Sequence, residues 1–99
     1  MPGYAVDTVL LSTFSEKIVA ARNELGDSYW KTFRRADAAI AVSILEPTLD
    51  EAEALARSDL IAGVLASLGA ALAHLDRFDE AIAVYRRVPK DAPALQVRR

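Results

Sequence analysis

From Leu49 onward the apolar residues Leu49, Ala52, Leu55 or Ala56, Leu60, Val64, Leu68, Leu72 and Leu75 recur at steps of three and four. That is the spacing of one helix face. Pro47 breaks the chain ahead of this stripe, and Thr48 with Glu51 three residues later matches a capping box, in which hydroxyl and carboxylate satisfy reciprocal backbone donors. A helix is therefore predicted to start at Thr48, with Ser58 as a second candidate cap that would split the stripe in two. Asp76, Arg77 and Phe78 form a polar break, and Asp79 and Glu80 sit where negative charge favours a helix start. The following helix carries Ala81, Ile82, Tyr85 and Val88 on one side and is expected to end near Pro89. The first half offers Val6, Val9, Leu10, Phe14, Ile18, Ala21, Leu25, Tyr29 and Phe33 in the same rhythm, then Arg34-Arg35 and a short helix over about 36–45. No run alternates apolar and polar residues as a strand would. The expectation is one all-α domain over 1–99.

Superposing the halves sharpens this picture. Gly26 and Gly69 differ by 43 positions, and the same offset pairs Ser15 with Ser58, Ile18 with Ile61, Leu25 with Leu68, Asp37 with Glu80, Ala38 with Ala81 and Leu45 with Val88. Self-similarity at a fixed offset marks repeated supersecondary units. Two related helix pairs are predicted, over 5–47 and 48–95. Nineteen of the 99 residues are alanine, which suits helices packed closely through small side chains.

In the second half, Leu65, Leu68-Gly69, Leu72, Ala81, Tyr85 and Pro93 stand in an order that resembles the tetratricopeptide repeat. The family pattern is a bulky residue, Leu-Gly, an aromatic, then Ala, an aromatic and a closing Pro. Gly69 would admit a close backbone, Ala81 would face that gap, and Tyr85 and Phe78 would fill the space beside it. The first half keeps Leu25-Gly26, Tyr29 and Ala38, but Val42 replaces the second aromatic and Pro47 comes early. The offset of 43 also exceeds the family's 34-residue period, which either an extended first helix over 48–59 or a longer-repeat relative of the family would explain.

The resemblance implies a short α-solenoid of antiparallel helix-turn-helix pairs whose first helices line a concave groove. Carried over position by position, the second unit would present Gly63, Ala66, Ala70, Ala73 and His74, and the first Ala20, Asn23, Asp27, Trp30 and Lys31. Some family members clamp a carboxylate through Lys, Asn and Arg. Here only Asn23 fits and Asp27 opposes, so that ligand is not expected. A wall of Gly and Ala suits a partner peptide or amphipathic helix. The same small residues equally suit tight packing within the chain, and Trp30 is either a partner anchor or core. Such units need neighbours for stability, so a segment of a longer array, or self-association into a homo-oligomer, is the alternative to a binding module. An all-α regulatory domain is a third.

Charge and chemistry narrow the classes further. Twelve Lys and Arg against fourteen Asp and Glu give a net charge of −2, without the basic excess of a nucleic-acid binder. There is no cysteine, which removes disulfides and thiolate metal sites. The start has no basic segment ahead of its apolar stretch, so no signal peptide is expected. The least polar run, 60–75, falls short of the roughly 20 residues of a membrane span. A cytoplasmic protein outside the membrane is the expectation.

His74 is the single histidine. Asp76 could orient it, yet no nucleophile accompanies the pair. The acidic Asp50, Glu51 and Glu53 are expected in a helix's first turn, and the pairs Arg34-Arg35, Arg86-Arg87 and Arg98-Arg99 near helix C-termini or the chain end. No Gly-rich phosphate loop or serine elbow is present. The prediction is a non-enzymatic module with no cofactor and no metal.

Overall fold

The computed structural model describes residues 3–90, with side chains described from residue 13 onward. These residues are all-α, with helices α1 (Gly3–Trp30), α2 (Arg35–Leu55), α3 (Ser58–His74) and α4 (Phe78–Arg86) and no strand among them. Each helix packs on the next, and α1 also packs on α3, whereas α2 and α4 stay apart. The core runs through all four: Val19 of α1, Ala41, Leu45 and Leu49 of α2, Val64, Leu65, Leu68 and Leu72 of α3, and Ala81 and Val84 of α4. Pro93 and the expected helical turn over 94–99 lie outside the described residues.

The helix expected to start at Thr48 does not start there. Pro47 lies inside α2, which continues to Leu55. Proline removes one N–H from the helical ladder and crowds the preceding turn. Here the helix passes through it, and the buried Thr48 hydroxyl donates to the Ile44 carbonyl at 2.8 Å instead of capping. The break comes at Ala56, in the left-handed region with φ 55°, whose N–H reaches back to the Glu53 carbonyl at 3.1 Å. Residues 48–55 thus lengthen the second helix of the first pair, not the first helix of the second pair. Arg57 takes the N-cap position and Ser58 opens α3.

The acidic residues follow the same correction. Asp50, Glu51 and Glu53 lie toward the C-terminal end of α2, where the macrodipole disfavours them. Arginines compensate: Arg22 of α1 pairs with Glu51, and Arg87 beyond α4 with Glu53 at 2.6 Å. Arg34 and Arg35 sit at an N-terminus, not a C-terminus. Arg34 pairs with Asp37 at 3.2 Å. Arg35 spans to the far end of α3, bonding the His74 and Leu75 carbonyls at 3.4 and 3.2 Å and Asp76 at 2.8 Å. Its charge thereby meets the favourable end of a neighbouring helix.

The turns joining α1 to α2 and α3 to α4 share a left-handed residue, an arginine N-cap and its ion pair at equivalent positions. Phe33 and Asp76, 43 residues apart, are the left-handed residues, with φ 63° and 61°. Arg34 and Arg77 are the N-caps that follow. Arg34 pairs with Asp37, and Arg77 with Glu80 at 2.6 Å, at the same i,i+3 spacing. Ala38 and Ala81, the next pair, are both buried.

Candidate functional site

α1 and α3 lie side by side, and most of the residues expected to line a groove meet along their seam. A Cβ built at Gly63 would lie 3.2 Å from the Asn23 amide nitrogen, so the absence of a side chain there lets the two helices close. Asn23 Oδ1 is buried with no hydrogen-bond partner. One turn further along, Asp27 Oδ1 accepts from the Ser67 hydroxyl across the seam at 3.2 Å and from the Trp30 indole N–H at 2.6 Å. Lys31 forms an ion pair with the same carboxylate and lies 5.7 Å over the Trp30 ring. Trp30 stacks on His74 of α3, centroids 5.3 Å apart, and Phe33 meets that imidazole edge-on at 5.2 Å.

Trp30 is half-buried, and its ring and N–H are both engaged within the chain. It acts as the bolt of the seam. His74 serves as its counterpart, and Asp76 is committed to Arg35, so the two do not form an acid–base arrangement. Among the described residues no three His, Cys, Asp or Glu are grouped to hold a metal, and no helix is long and apolar enough to cross a membrane.

Ala66, Ala70 and Ala73 remain. They occupy the half-exposed side of α3 between its contacts with α1 and α4. Beside them α4 leaves Phe78, Ile82 and Tyr85 exposed at 56%, 47% and 44%. The tetratricopeptide resemblance implied that Ala81 faces the gap at Gly69, with Phe78 and Tyr85 filling the space beside it. Tyr85 lies nearest: a Cβ at Gly69 would fall 2.6 Å from its Cζ. Phe78 points outward, and Ala81 is buried without being among the nearest neighbours of Gly69. At Gly26 the nearest contact is Leu45, 2.6 Å from a built Cβ, at the position that matches Val88 rather than Tyr85.

α1 also departs from its predicted face. Phe14, Ile18 and Leu25, on the apolar rhythm, are exposed at 59%, 43% and 49%, while Val19, outside it, is fully buried. On the opposite side of α3, a groove of about 370 Å³ separates α2 from α4, floored by Leu68 and Leu72. Leu49 and Val84 form its walls, and Glu46 and Glu80 stand at its mouth. The sequence pattern held no sign of this groove, because it lies between helices distant in sequence whose backbones do not come close.

No family model, curated protein or solved structure matches this chain.

Proposed function

We propose that the protein is a protein–protein interaction module made of two tetratricopeptide-like helix pairs, α1–α2 and α3–α4, stacked as a short α-solenoid. The observation that carries this reading is the recurrence at 43 residues of the left-handed turn residue, the arginine N-cap and its ion pair. Such duplication suits stacked units better than a single closed bundle. The packing of α1 on α3, with α2 and α4 apart, fits first helices that line one side. The partner surface in this reading is Ala66, Ala70 and Ala73 with Phe78, Ile82 and Tyr85. It is an apolar strip with small residues along one edge, suited to an amphipathic helix.

The seam residues Asn23, Asp27, Trp30, Gly63 and His74 hold the two units in register and shape that surface from behind. The test compares proteins retained by the immobilised chain with those retained by an Ala70→Arg variant of equal helicity. A partner held by the first and released by the second supports the reading. A partner set indifferent to Ala70→Arg overturns it.

A further inference from the structure

The correspondence at 43 residues makes the molecule its own template for what covers its open faces. α3 packs on both helices of the first pair; it meets α1 through Gly63, Ser67 and His74, and on it Val64 and Leu68 are buried and Ile61 is partly buried. Moved by 43 positions, the residues of α1 that receive it, Asn23, Asp27 and Trp30, become Ala66, Ala70 and Ala73 of α3. Arg35 of α2, which bonds the Leu75 carbonyl at the end of α3, becomes Phe78 of α4. On the second pair Phe78 and the neighbouring Tyr85 are exposed, and Ala66, Ala70 and Ala73 are partly buried.

The complementary flank is open at the other end of the molecule. Ile18, Ala21 and Leu25 of α1 correspond to Ile61, Val64 and Leu68 of α3, yet are exposed where their counterparts are buried or partly buried in the core.

We propose that α1 of a second copy of this chain docks, head to tail, on the face formed by Ala66, Ala70, Phe78, Ile82 and Tyr85, presenting Ile18, Ala21 and Leu25. This rests on the reading of that face as a partner surface and names its occupant. Steric fit supports the choice. Within the chain, Asn23 and Asp27 meet the small Gly63 and Ser67, and Trp30 meets His74. At the joint between copies Ala20 and Glu24 of the incoming α1 take the places of Gly63 and Ser67, so that Ala66 meets Ala20 and Ala70 meets the longer Glu24, whose stem lies along apolar surface. The contact is heterologous, so each added copy leaves a free end and assembly does not stop at two.

Sedimentation of the intact chain and of two exposed-face variants tests this. The wild type should gain mass with concentration beyond a dimer. Ile18→Asp and Ile82→Asp, helical by circular dichroism, should each be monomeric. Their equimolar mixture should form a heterodimer and go no further, since one intact face of each kind remains. Leu25→Asp and Phe78→Asp serve in their place if either variant loses helicity.

A wild type monomeric at its highest attainable concentration overturns the proposal. So does a single variant that still self-associates, as a symmetric interface would allow, or a mixture that stays monomeric. Loss of thermal stability in Ile82→Asp at unchanged monomeric mass would assign the face to residues 91–99 of the same chain, and would also overturn it. In each such case, a foreign partner retained by the wild type and released by Ala70→Arg still upholds the binding-module reading.

Discussion

Asp27 holds three neighbours at once, the Trp30 indole, the Ser67 hydroxyl and the Lys31 ammonium. Replacing it with alanine leaves a part-buried N–H and hydroxyl without an acceptor, at a cost of about 1–3 kcal/mol. Asp27→Asn keeps one acceptor oxygen and should cost less; urea midpoints of the two variants check the order. The two close-approach glycines should respond unequally to a methyl group. Alanine gains up to about 1 kcal/mol of helix propensity, against about 1–3 kcal/mol for overpacking. At Gly69 the obstacle is the Tyr85 ring, 44% exposed and free to swing outward, so Gly69→Ala should be near neutral. At Gly26 it is Leu45, fully buried, so Gly26→Ala should destabilise clearly. Equal melting temperatures for the two variants would contradict this account.

Among the elements, α2 carries an internal defect. Pro47 is exposed and withholds a backbone N–H in mid-helix, so Pro47→Ala should raise stability by about 1–3 kcal/mol, read as a higher melting temperature. The helix starts carry a pH signature. The Arg57 and Arg77 side chains, hydrogen-bonded to Asp59 and Glu80, hold both carboxyls below their usual range. A carboxyl lowered on folding stabilises the protein above its unfolded value and ceases to do so as pH falls through the lowered one. Acid should therefore erode stability below the ordinary carboxylate range, and Arg77→Met should flatten part of that slope.

The existence and type of the elements were legible from periodicity; at Gly69 the resemblance implied a close backbone, whereas the nearest atoms belong to the Tyr85 ring. The end of α2 was not legible. A proline inside a helix reads locally like one at its border, and Ala56, which adopts the left-handed turn, belongs to the residue type that most favours helix. The seam was hidden for another reason. Trp30 on His74 and Asp27 on Ser67 join residues about forty positions apart, and no local spacing encodes such a meeting.

On the scale of the whole molecule, one core passes through both pairs, from Val19 to Val84. The two pairs should therefore unfold together. Trp30, the only tryptophan, sits on the joint, so its fluorescence in a urea titration should coincide with loss of helicity; separated transitions would mean that the pairs are independent. The matched turns at Phe33 and Asp76 carry a further consequence, for length. Each helical residue advances the rotation by about 100°. One residue inserted into α2 would swing α3 away from Trp30 and Asp27 alike, whereas the 43-residue segment 35–77, inserted whole after Arg77, would begin and end on turns the chain already makes. Growth in this architecture is quantised: it tolerates whole repeats and penalises fractions, much as a thread accepts only full turns.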